Sequence, residues 1–229
     1  MAGFSTQPAT IAIDDEHRVD ALLCADAMPS ACLVLAHGAG AGMTHPFMAR
    51  LAEGLAERAI ASLRYQFPYM QRGSKRPDPP RLAHAAVRAA VAHAAGSLPG
   101  VPLLAGGKSF GGRMTSQAQA LSPLPGVLGL VFVGFPLHPA GKPSQDRAHH
   151  LRDVGCPMLF LQGTRDELAD LQLLLPVVEA LGARATLERF EGADHSFHVP
   201  ARSGGNDAQV MAALLDAIAR WARELSRSR

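Results

Sequence analysis

Short apolar runs alternate along the chain with longer Ala- and Leu-rich amphipathic stretches. The short runs predict strands at 10–13, 19–24, 32–36, 60–65, 103–105, 129–133, 158–161 and 185–190, and the stretches with helical spacing predict helices at 47–58, 80–95, 111–121, 168–181 and 207–225. Leu33-Val34-Leu35, Leu130-Val131-Phe132-Val133 and Met158-Leu159-Phe160-Leu161 are apolar without alternation, the pattern of strands covered on both faces. The first two strands alternate instead and are joined by the turn-forming Asp14-Asp15-Glu16-His17, which predicts an antiparallel hairpin at a sheet edge. Repeating β and α elements then predict an α/β fold, a doubly wound, mostly parallel eight-stranded sheet with helices on both faces, forming one domain across residues 1–229.

Two connections, 66–79 and 137–157, are rich in Pro, Gly and basic residues. Loops that follow strand C-termini flank the ligand crevice of such a sheet, so both are candidates for a substrate rim. The second is short for a lid and predicts an open site. Its Lys142, Arg147, His149, His150 and Arg152 read first as solvated charge and second as a draw for a carboxylated substrate. In the first, Phe67 and Tyr69 are candidate substrate-binding residues of a pocket wall, with core packing the other reading of Phe67.

Composition narrows the classes. Hydrophobic residues make up 48% and charged residues 18% of the chain, enough apolar side chain for a sizeable core. The net charge of +2 comes without a dense Lys/Arg run, so no nucleic-acid footprint is expected, and the basic stretch 223–229 reads as a solvated helix end. Cys24, Cys32 and Cys156 are scattered without C-x-x-C spacing, which points to a reducing compartment rather than a disulfide framework or a zinc site. The first residues lack a basic n-region and an apolar h-region, and no apolar stretch approaches the ~18 residues of a membrane span. A cytoplasmic protein with no membrane partner is the expectation; oligomeric state is left open.

The chemistry concentrates in four segments. Gly107-Lys108-Ser109-Phe110-Gly111 is a G-x-S-x-G pattern between a strand and a helix, where a nucleophilic serine sits on a turn too tight for side chains two residues to either side. A phosphate-binding loop on the same residues would need glycine where Pro102 stands. His37-Gly38-Ala39-Gly40 follows the strand at 32–36 and suits a main-chain anion cradle, with Ala39 and Phe110 as oxyanion-hole N–H donors. A dinucleotide fingerprint fails there because its third glycine would fall on Met43, and His37 reads as a structural loop residue. Asp166 follows the strand at 158–161 and reads either as a helix N-cap or as a catalytic acid. His195 follows the last strand in Gly192-Ala193-Asp194-His195, with His198, ahead of Val199-Pro200, turned away from the site. Ser109, Asp166 and His195 occur in the order that this fold requires of nucleophile, acid and base.

Over nearly its whole length the chain resembles the α/β-hydrolase superfamily. More narrowly it is similar to the small dienelactone-hydrolase-like group that includes the testis-expressed and chromatin-complex α/β-hydrolase-like proteins. The segments that carry the likeness are His37-Gly38-Ala39-Gly40, Phe67-Pro68-Tyr69-Met70 with Arg76-Pro77-Asp78, Gly107 to Arg113, and Gly192 to Phe197. The resemblance implies a Ser109–His195–Asp166 triad acting on a small-molecule ester, with no cofactor and no metal. True dienelactone hydrolases differ in carrying cysteine where Ser109 stands. The chromatin-complex relatives leave a non-catalytic scaffold as the alternative, and acyl transfer to an acceptor other than water is a third reading.

Overall fold

The runs that lack alternation form the middle of the sheet, because helices cover both of its faces. The computed structural model describes residues 3–200 and 205–227. Its strands are β1 Ser5–Ala12, β2 Arg18–Ala25, β3 Ala31–Ala36, β4 Ile60–Tyr65, β5 Leu103–Lys108, β6 Val127–Val133, β7 Met158–Gly163 and β8 Ala185–Phe190. The helices are α1 Pro46–Ala56, α2 Pro68–Gln71, α3 Pro80–Ser97, α4 Phe110–Leu121, α5 Leu171–Leu181 and α6 Asp207–Arg227. Side chains of β3 alternate between two cores: Ala31, Leu33 and Leu35 pack with α1 and α6, whereas Cys32, Val34 and Ala36 pack with α3, α4 and α5. Strand β7 divides the same way, Leu159 and Leu161 to one side and Met158 and Phe160 to the other. A strand that feeds two cores has no polar face to show, and hence no alternation in its sequence.

The eight strands run in the order β1-β2-β4-β3-β5-β6-β7-β8. β1 pairs antiparallel with β2 as the edge hairpin, β2 pairs antiparallel with β4, and β3 to β8 are all parallel. The chain leaves β3 toward one edge and returns through β5 toward the other. In sheets of this kind such a reversal, here outside the C-terminal ends of β3 and β5, is where ligands bind.

Several boundaries differ from the sequence expectation. β5 runs on through Gly106 and Gly107 to Lys108, so the glycines belong to the strand and not to a preceding loop. Helix α5 begins at Leu171 and not at 168, because Asp170 is its cap and accepts a hydrogen bond from the Gln172 N–H at 2.8 Å. The 66–79 connection contains α2, tied down where buried Asp78 accepts from the Tyr69 N–H at 2.7 Å and pairs with Arg72 at 2.6 Å. The 137–157 connection is not a free lid. Its 3-10 helix Asp146–Asp153 buries Ala148 and Leu151, and His150 Nε2 meets the Ser116 hydroxyl of α4 at 2.7 Å. Among the described residues no helix is long and apolar enough to cross a membrane. Helix α6 carries the basic C-terminal stretch as far as Arg227; the last two residues of that stretch lie outside the described residues.

Candidate active site

Ser109 joins β5 to α4 with φ 50° and ψ −115°, a left-handed backbone that costs a non-glycine residue on the order of 1–3 kcal/mol. Packing imposes it. The Ser109 N–H is held by the Val133 carbonyl at 3.1 Å, and the Ser109 carbonyl accepts from the Arg113 N–H at 3.1 Å. The flanking glycines admit the end of β3: a Cβ at Gly107 would stand 2.2 Å from the Ala36 carbonyl oxygen, and one at Gly111 would stand 2.6 Å from the carbonyl oxygens of Ala36 and His37. The space that glycine preserves therefore lies mainly against the neighbouring strand rather than within the turn itself. Serine at the start of a helix ordinarily caps it, but Ser109 makes no such bond, and its Oγ is left for another partner.

That partner is His195. Its Nε2 lies 2.8 Å from Ser109 Oγ, and its Nδ1 lies 2.7 Å from Asp166 Oδ2. The imidazole is 23% exposed and the Asp166 carboxylate not at all, so one end of this hydrogen-bonded series is open and the other sealed. Asp166 is not the cap of α5. Its Oδ1 accepts the Leu168 N–H at 2.8 Å, closing a local turn, while Oδ2 is shared between His195 and the Gln162 amide at 2.5 Å. Buried Gln162 also accepts from the Phe135 N–H at 3.0 Å, which ties the acid to the end of β6. The two loops are stitched together: the Arg165 N–H donates to the Ala193 carbonyl, the Gly192 N–H donates to the Thr164 hydroxyl, and a Cβ at Gly163 would stand 2.4 Å from the Ala193 oxygen. His198 turns away, as expected, and pairs with Asp207 in solvent at 2.9 Å. That pairing raises the His198 pKa and lowers that of Asp207.

The loop after β3 sits beside the serine: a Cβ on Gly38 would be 3.9 Å from Ser109 Cβ. His37 is fully buried, donates from Nδ1 to the Gly38 carbonyl at 2.8 Å and accepts the Phe67 N–H on Nε2 at 3.0 Å. Burial pushes its pKa down to about 4, so it is a neutral structural histidine. Among the described residues the Ala39 N–H donates to no protein acceptor, and Phe110 heads α4, where an N–H has no intrahelical partner. Phe67 and Tyr69, expected to line a substrate pocket, are 0% and 1% exposed and offer no surface to a ligand. They support the site from beneath. The Phe67 ring packs edge-on against His37 and Phe110 at 5.0 and 5.3 Å, and the Tyr69 hydroxyl accepts from the Gly40 N–H at 3.3 Å.

Two residues escape sequence reading. Gln162 is a lone amide at the end of an otherwise apolar strand, a signal in itself. Lys108 occupies a variable position of the G-x-S-x-G pattern, yet its Nζ donates to the His195 carbonyl at 2.6 Å and stands 5.6 Å over the Phe197 ring.

Residues 29–223 match the model of an alpha/beta hydrolase domain family. Among solved structures, a Xanthomonas campestris α/β serine hydrolase without lid superposes with a TM-score of 0.74 at 22% identity, over 94% of each chain. A dienelactone hydrolase from Anabaena variabilis gives 0.77 at 18% identity, over 96% of this chain and 98% of that one. A serine hydrolase homologue from Coxiella burnetii gives 0.74 at 18%, over 92% and 96%. At these identities the likeness is one of fold.

Proposed function

The chain belongs to the alpha/beta hydrolase domain family, and from that premise we propose that it is a serine hydrolase that cleaves carboxylic esters of small molecules through an acyl-enzyme. The observation that carries this reading is the unbroken series Ser109 Oγ, His195 imidazole and Asp166 carboxylate, each from the C-terminal end of a different strand. His195 Nε2 takes the Ser109 proton as Oγ bonds to the ester carbonyl carbon. Asp166 holds the Nδ1–H tautomer and balances the imidazolium charge. The tetrahedral oxyanion falls to the main-chain N–H groups of Ala39 and Phe110, at the positive end of α4. The intermediate collapses as His195 returns the proton to the departing alkoxide. Water, deprotonated by the same imidazole, then releases the acid and restores Ser109.

No part of the route calls for a cofactor or metal. The partly exposed histidine and the packed-down 137–157 segment suit an open site for short acyl groups. The test is a series of p-nitrophenyl esters of increasing chain length, with wild type and Ser109→Ala. Ester turnover in the variant should fall roughly 10³-fold or more, as expected when a triad loses its nucleophile. Equal turnover by the two proteins removes Ser109 from the chemistry.

A further inference from the structure

Lys108 is the charged residue nearest Ser109 in the chain, and the mechanism above gives it no task. Its side chain leaves β5 and threads between two glycines: a Cβ on Gly38 would stand 3.6 Å from Lys108 Cγ, and one on Gly134 would stand 3.1 Å from Nζ. Gly134 itself has φ +71°, a backbone that disfavours side chains, so the slot beside the lysine is kept open twice over. At the end of the slot the ammonium donates to the His195 carbonyl at 2.6 Å. It forms no ion pair among the described residues. The carbonyl, in turn, accepts from no other donor among them.

The loop that receives this bond is tied to the β7 loop at its start, where the Gly192 N–H donates to Thr164 and the Ala193 carbonyl accepts from Arg165. From Asp194 onward its main chain is held by bonds within the loop. Asp194 Oδ1 accepts the N–H groups of Ser196 and His198 at 2.7 and 3.0 Å, and the Asp194 carbonyl accepts that of Phe197. Phe197 anchors the tip in the core against Phe47 and Phe190, with φ 62°. His195 lies between these fixed points, and its main-chain oxygen is caught only by Lys108. We propose that Lys108 is a positioning residue: by holding the His195 carbonyl it holds the imidazole in line with Ser109, and so couples the nucleophile turn to the loop that carries the base.

The proposal rests on the hydrolase reading for its kinetic arm only. The titratable groups facing Lys108 are Asp166 after β7 and Asp194 and His195 after β8; the ends of β3 and β6 present only glycine. Burial pushes the ammonium down to about 8 against the pull of Asp166 and Asp194. A charge-assisted hydrogen bond is about twice as strong as a neutral one, so activity should decline roughly fivefold as pH rises through 8 and the clamp loses its charge. Stability should move the other way. The folded pKa lies below the ordinary 10.5, so between pH 8 and 10.5 the unfolded chain holds this proton more readily, and the lysine's contribution to stability grows with pH. A merely structural lysine would not divide activity from stability in this way.

The experiment compares wild type, Lys108→Met and Lys108→Arg by three readouts. Hydrogen exchange over residues 191–198 should be about tenfold faster in Lys108→Met, with β3 and β7 unchanged, since a loop tie has been cut. Turnover of p-nitrophenyl acetate should show kcat reduced about 10- to 100-fold with KM nearly constant, as for a misplaced base. Lys108→Arg should restore part of kcat and flatten the alkaline decline, because a guanidinium does not titrate there. The alkaline decline is also measured on wild type, so a poorly folding variant leaves the question open to decision. Unchanged exchange over 191–198 overturns the proposal whether or not any ester is cleaved, and so does wild-type activity level from pH 7 to 10. Failure of wild type to hydrolyse esters or to react with a fluorophosphonate, with exchange altered as expected, overturns only the hydrolase reading.

Discussion

The two halves of the site are built on different physics. On one side the Ser109 turn is held by exclusion: Ser109 has a left-handed backbone between Gly107 and Gly111, where the end of β3 approaches to distances that no Cβ could share. On the other side the loops that carry Asp166 and His195 are held by polar bonds. Asp166 is gripped by Gln162 and the Leu168 N–H, the 191–198 segment by Thr164, Asp194 and Lys108. Steric exclusion is stiff and fails all at once. Hydrogen bonds are individually worth only about 0.5–1.5 kcal/mol, so the second half is the more easily adjusted one.

The sharpest way to break the symmetry of the pair is to remove the base. His195→Ala should abolish fluorophosphonate labelling of Ser109, roughly 10³-fold or more, as is usual when a triad member is lost. His198→Ala should keep at least about a tenth of it, since that side chain faces Asp207 and solvent. Normal labelling of His195→Ala beside a dead His198→Ala would reverse the assignment.

A substitution on the steric side tests stability instead of chemistry. Gly107→Ala places a methyl 2.2 Å from the Ala36 oxygen, and the strand cannot yield without disturbing β3. A loss of about 3 kcal/mol or more in denaturant unfolding is expected for such overpacking. A variant with wild-type midpoint and slope would mean that β3 and β5 are less tightly apposed than their distances indicate.

The two sides should also differ in acid. His37, beneath the Gly38 loop, has its pKa pushed down from 6.5 to about 4 by burial. As pH falls from 6.5 toward 4 the unfolded chain gains a proton that folded His37 refuses, so stability present above pH 6.5 is lost across that window, by up to about 3 kcal/mol at 1.36 kcal/mol per unit. His150, lowered to about 4 by burial and by Arg113, acts in the same direction but is more exposed and counts for less. Unfolding free energy measured from pH 7 to 4 on wild type and on His37→Asn checks this. An unchanged slope in the variant would falsify the role given to His37.

The smallest effect expected is none. Among the described residues no group of three His, Cys, Asp or Glu side chains stands together in ligand geometry, so prolonged EDTA should leave ester turnover unaltered. Activity lost to chelation and restored by zinc would place the chemistry elsewhere.

Much of this molecule is legible in order and period. Non-alternating runs marked the strands that serve two cores, and the alternation at 19–24 marked the edge hairpin, because burial acts on each residue through its own side chain. Ser109, Asp166 and His195 were also readable, since strand ends in a parallel sheet all open on the same crevice and their sequence order carries the topology. The N-cap reading of Asp166 and the pocket reading of Phe67 and Tyr69 went the other way. Whether Asp166 or Asp170 caps α5 depends on which turn closes first, and an aromatic ring faces a ligand or a core only once the neighbouring strands have taken their places. Lys108 lay beyond reach of the sequence, because it acts on His195, 87 residues away; Gln162 stood out as a lone amide, but its hold on Phe135, 27 residues away, did not. The chain by itself determined its elements, its sheet class and which polar side chains would stand at the strand ends, all properties of local pattern and order. Only the tertiary structure decided which backbone atoms those side chains would hold, because such bonds form between strand ends that meet through the register of the sheet and carry no local signature.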